Sequence, residues 1–249
     1  MNHFSWPRFV LLLRNDVQEQ WRKIWIATLA LAGVGLLVYI LNVEPRAAVK
    51  PAIYAGLFPY VLIAGGLIFT SLIFADLHHP LQRFRFLTLP CSNLERFLSR
   101  YLLSAPLFYL YVLATYAAFD WAAGRITEVL RGASAAPFAP FNPMMLRVAL
   151  SYFGLHALMF WGAIYFRSLA FGKTVLTFVL AWLGLAVIFM AAVKLFFWSY
   201  FTTFLTMEAR VPLVSVPPSV MIGGAAVLGV WVLFIAYQCL REHEVQREL

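Results

Sequence analysis

The chain alternates between long apolar blocks and short polar stretches. Six blocks are long enough to cross a hydrocarbon layer, which needs ~20 apolar residues in helical form. They fall at 24–43, 52–75, 101–123, 148–166, 175–197 and 220–240. Ahead of the first block, Trp6, Val10, Leu13, Val17 and Trp21 recur every three or four residues and so share one helical face. Arg14, Asn15, Gln18, Glu19 and Arg22 occupy the rest of that turn pattern. This predicts an amphipathic helix over 1–23 lying in the membrane interface, with tryptophans at headgroup depth. The competing arrangement is a plain extension of the first span. The stretch does not read as a signal peptide, because its apolar run, 9–13, is short and Arg14-Asn15-Asp16 follows at once.

The connections differ in character. Residues 124–147 carry Gly124, Gly132, Pro137, Pro140 and Pro143, a composition that does not continue a helix. Residues 198–218 stay aromatic and amphipathic and stop at Pro217-Pro218, too short and broken to cross. They predict one or two short re-entrant or outer helices before the last span. The expectation is an all-α, polytopic membrane protein forming a single transmembrane domain. Its parts are the helix at 1–23, a first span pair (24–75), a polar loop (76–100), a second pair (101–166), a short link (167–174), the fifth and sixth spans (175–240) and a tail (241–249).

Composition strengthens this picture. Hydrophobic residues make up 63% and charged ones 12%, with a mean hydropathy of +0.81. A soluble domain has apolar usage nearer half. The net charge of +8 is spread between the blocks, which suits topology and not nucleic-acid binding. Of the lysines and arginines, twelve fall on the side of the termini and seven on the other. That bias places both termini of a multi-pass membrane protein in the cytoplasm. Cys91 and Cys239 stand far apart in sequence, and neither belongs to a metal-ligand pattern.

The longest polar interruption, 76–100, holds Arg83, Arg85, Arg96 and Arg100. After Pro90, Ser92-Asn93-Leu94-Glu95 reads as a capping box that restarts a helix. His156 is the one ionisable residue deep in a predicted span. It is either a neutral imidazole bonded across a helix interface or a site of transport chemistry. Lys194 and Asp120 sit near span ends, where they reach water. Gly65-Gly66, Thr70-Ser71, Ala225 and Gly229 mark close helix approaches. Phe171-Gly172-Lys173-Thr174 is not a phosphate-binding loop, since Arg167 stands where the pattern needs glycine. His78-His79 lacks a third ligand at useful spacing. No hydrolase motif is visible.

Two stretches carry a resemblance. Residues 66–74, GLIFTSLIF, lead into 87–97, LTLPCSNLERF. This pattern resembles the permease subunits of ABC-2 type transporters, the membrane subunits of bacterial ABC transporters, with Cys91 where a small residue such as alanine is usual. The resemblance implies a non-enzymatic transport subunit, generally an exporter, that dimerises with itself or a related permease. A separate ATPase subunit, two copies per complex, would carry ATP and Mg; this chain would hold no cofactor. The 76–100 loop would dock that ATPase through Leu81, Phe84, Leu87 and Leu89. Pro90, Ser92, Glu95 and Arg96 would set its angle to the third span. Read from the residues alone, apart from the resemblance, Thr70, Ser71 and His156 are a candidate intramembrane polar site. The other readings are a self-contained proton-coupled transporter using His156, and a non-transporting accessory subunit.

Overall fold

A computed structural model describes residues 4–42, 58–75, 91–131, 140–166, 168–206 and 218–245. All regular structure among these is helical. We label the helices α1 (Trp6–Asn42), α2 (Phe58–Leu72), α3 (residues 93–131), α4 (Pro143–Tyr165), α5 (Ala170–Thr206) and α6 (Pro218–Val245). Both α2 and α3 contain a π turn, at Val61–Gly65 and Leu103–Leu107 respectively.

Among the described residues, four stretches are long and apolar enough to cross a membrane: Asn93–Ile126, Pro143–Tyr165, Ala170–Ala192 and Gly223–Glu242. They contain most of the third to sixth predicted spans. The second predicted span is represented by the shorter apolar helix Phe58–Leu72, and its first residues, 52–57, lie outside the described ones. The protein is therefore an all-helical membrane protein. Large side chains on α5 such as Trp182, Phe189 and Leu195 are exposed, as a surface meeting lipid tails requires.

Several boundaries differ from the sequence expectation. The stretch 124–146 was expected to interrupt the helices, but α3 runs on to Arg131 and α4 already starts at Pro143. Residues 6–23 are not a separate helix, because α1 runs unbroken for 37 residues, ~55 Å at the usual rise. Sharp bends need a proline, a π turn or an inserted group. No proline follows Pro7 in α1, so nothing there turns the first half flat along a surface, and it extends the helix that runs on through the described part of the first predicted span. Residues 198–206 likewise form no short outer helix but continue α5 to Thr206; 207–217 lie outside the described residues. The link after α4 is shorter than 167–174. The Leu169 carbonyl accepts from the Lys173 N–H at 2.9 Å and starts α5 at Ala170. Leu169 makes this turn with a left-handed φ of 51°. At the other end of α4, Asn142 caps by accepting from Met144 N–H, and Pro143 occupies the first turn, where its missing donor is harmless.

Contacts order the helices up and down. Phe97 of α3 meets Phe160 of α4 and Tyr237 of α6, Gly162 of α4 meets Thr174 of α5, and Arg100 of α3 meets Ile73 just past α2. The starts of α1, α3 and α5 thus gather with the ends of α2, α4 and α6 at one end of the bundle, called here the base. A core of Ile73, Phe74, Leu103, Phe160, Ala163, Ile164, Ala236 and Leu240 fills it. A second core, Phe58, Leu62, Val112, Met145 and Tyr152, lies farther along the bundle.

Candidate functional site

The predicted capping box is present. Ser92, extended at φ −74° and ψ 156°, accepts from Glu95 N–H at 3.3 Å, and Glu95 Oε2 accepts from Ser92 N–H at 2.8 Å. The geometry of N–x–x–Glu spacing allows this locally. A second partner could not be read from spacing. Glu95 Oε1 accepts from the Ser5 N–H at 2.6 Å and faces Arg8 Nη2 at 3.4 Å. Ser5 immediately precedes α1, so one fully buried carboxylate serves the N-termini of two helices. Each helix start carries unpaired N–H donors and partial positive charge, which a carboxylate relieves.

One turn further into α3, Ser99 Oγ donates to Asp16 Oδ2 at 2.6 Å. Arg100 Nε lies 3.9 Å from the same oxygen, with both side chains more than nine-tenths buried. The Arg100 guanidinium also donates to the Ile73 carbonyl, past the last turn of α2, and lies 5.6 Å from the Phe74 ring centroid. A buried charge persists only when paired and hydrogen-bonded, and this one ties α3 to α1 and to the end of α2. Arg96 is buried at the same level. Deeper still, Tyr111 and Thr28 hydroxyls meet at 2.6 Å. These α1–α3 contacts follow the same order along both helices, so the two run parallel.

Asp16 and Gln20 were not singled out in the sequence, yet with Phe9 they form the buried stripe of α1. Of the five residues of the predicted apolar face, Trp6, Val10 and Trp21 are exposed, while Leu13 and Val17 are half-buried, Val17 against the base core. The usable signal was the polar pair Ser99 and Arg100 on α3, which meets Asp16 on α1. In a membrane the surroundings are apolar, so the stripe that pairs with protein is the polar one.

The expected intramembrane group is only partly assembled. His156, fully buried, meets Ser104 Oγ at 2.8 Å through Nε2. Because that hydroxyl donates to the Arg100 carbonyl at 2.8 Å, the imidazole donates from Nε2 and its Nδ1 is a bare acceptor without a partner. Tyr101, Tyr152 and Phe160 surround the ring. Thr70 and Ser71 do not join it: both donate back to their own helix, at Gly66 and Ile68 carbonyls.

Of the expected docking residues, Leu81, Phe84, Leu87, Leu89 and Pro90 lie outside the described residues. Cys91 and Cys239 are free thiols. Among the described residues, no three His, Cys, Asp or Glu side chains gather as a metal site. Comparison of the chain with protein-family models, with curated proteins and with solved structures returned no match.

Proposed function

We propose that this chain is the transmembrane permease subunit of an ATP-driven transporter of the ABC-2 type, working as an exporter. In this reading it pairs with a second copy or a related permease. Two ATPase subunits, which hold the ATP and Mg, dock on the 76–100 loop, chiefly on its 76–90 part. The base of the bundle then faces the cytoplasm of a bacterial inner membrane with both termini there, in keeping with the charge bias.

One observation carries the proposal: the described residues on either side of the 76–90 segment are tied to each other and to α1. Arg100 holds the Ile73 carbonyl just before the segment, and Ser92 with Glu95 caps the helix just after it. Glu95 and Asp16 add α1 to the same clamp. A push delivered to a segment anchored this way moves α1, α2 and α3 together, which is what a rigid-body switch between two packings requires.

A second reading, a self-contained proton-coupled transporter, is favoured by the burial of ionisable His156. It is weaker, because aromatic rings and one serine surround that imidazole, and none can accept its charge. The test is purification of the tagged chain from native membranes in mild detergent. A stoichiometric cytoplasmic partner with a phosphate-binding loop supports the permease. Recovery of the chain alone across several detergents contradicts it and turns attention to His156.

A further inference from the structure

α3 changes helical form midway. Pro106 sits inside the π turn Leu103–Leu107 and offers no N–H to the Leu102 carbonyl four residues before it. Just beyond, the Phe108 N–H reaches the Ala105 carbonyl, and the Ser104 carbonyl is taken instead by the Tyr152 hydroxyl at 2.6 Å. The neighbouring helix α2 has its own π turn at Val61–Gly65, followed directly by Gly66. The Tyr152 ring lies on Gly66 so closely that no Cβ fits there. One side chain of α4 therefore touches both irregular turns, its hydroxyl on one and its ring beside the other. Phe69 of α2 stacks on Phe108 of α3 at 5.1 Å and aligns the two segments further.

The level of these turns is also where the packing divides. Leu103 and Phe160 belong to the base core, while Leu62, Val112 and Tyr152 belong to the other. Between them lies a polar layer made of Ser104, the Tyr152 hydroxyl and His156 with its unpartnered Nδ1. Regular helices resist bending, and π turns and prolines are where bends concentrate. A break in two adjacent helices at the boundary between two cores is the arrangement expected of a joint.

We propose that the paired π turns of α2 and α3 form one joint, and that Tyr152 is the latch that holds it in the observed form. The base, with α1 clamped to α3, pivots against the remainder of the bundle when the latch releases the Ser104 carbonyl. This does not depend on which partner or energy source drives the motion.

The test is backbone hydrogen exchange on the full chain in lipid nanodiscs, comparing wild type with Tyr152→Phe. Loss of the hydroxyl is expected to speed exchange of the 107–109 amides about fivefold or more, with the 96–102 amides of the base unchanged. Equal exchange at 107–109, or an equal acceleration in both segments, overturns the latch. If Tyr152→Phe fails to insert, Pro106→Ala reads the joint from the other side. A restored N–H is expected to slow exchange at 107–109 about fivefold, and unchanged exchange overturns the proposal.

Discussion

The Oε1 atom of Glu95 accepts the backbone N–H of Ser5 at 2.6 Å across 90 residues of sequence. The same carboxylate closes the capping box of α3 through its other oxygen. Glu95→Ala leaves both N–H groups buried without an acceptor, so it should cost ~2–3 kcal/mol. Ser92→Ala removes one acceptor and should cost only ~1 kcal/mol. Unfolding in detergent, followed by tryptophan fluorescence, separates the two. Equal losses would mean that the α1 contact adds nothing.

Asp16 and Arg100 form a buried pair in which each neutralises the other. Asp16→Leu leaves the buried guanidinium without this carboxylate, though it keeps the Ile73 carbonyl, and should destabilise by ~3 kcal/mol. Combining it with Arg100→Met should cost less than the sum of the single changes, with a coupling of at least ~1 kcal/mol. Additive losses in the same unfolding measurement would argue that the pair is not coupled.

Gly66 and Gly65 are adjacent but differ in surroundings. A Cβ at Gly66 would run into the Tyr152 ring, whereas at Gly65 the nearest atom is Phe108 Cζ at 3.8 Å. Gly66→Ala should therefore cost ~1–3 kcal/mol by overpacking. Gly65→Ala should be close to neutral. The ratio of folded protein recovered after mild heating reads the difference.

His156 should behave as a structural donor. Substitution by Asn keeps one amide donor and should preserve folding better than Leu, which leaves the Ser104 hydroxyl without that contact. Under the permease reading, transport by His156→Asn keeps the wild-type pH profile between about pH 5 and 8, the range in which a working histidine would titrate. Loss of pH dependence in the variant would instead favour proton coupling.

The capping box was legible because its chemistry is contained in four consecutive residues, Ser92 to Glu95. The third to sixth helices were legible because each is a long apolar block bounded by polar residues. The ends were not. Trp6, Val10 and Trp21 suggested a detached interfacial helix, but helical periodicity alone cannot say whether the helix stops before the next block. The aromatic and polar residues after Phe197 suggest an end there, yet Ser199, Thr202 and Thr203 are compatible with the helix that continues through them. The clamp was hidden for a different reason. Asp16–Ser99 and Glu95–Ser5 join positions 83 and 90 residues apart, and no local spacing encodes that meeting. Pro106 inside the third span, not singled out in the sequence, is a signal of the irregular turn of α3, and the matching turn in α2 has no proline to announce it.

The central claim is that a partner ATPase engages the 76–90 segment and drives the clamped base. ATP hydrolysis by the co-purified partner should be measured with the wild-type chain and with the Leu87→Asp/Leu89→Asp variant. The account predicts that the wild-type chain binds the partner and alters its hydrolysis rate. It also predicts that the variant inserts normally and loses both binding and that effect. Undiminished association and hydrolysis in the variant would contradict it.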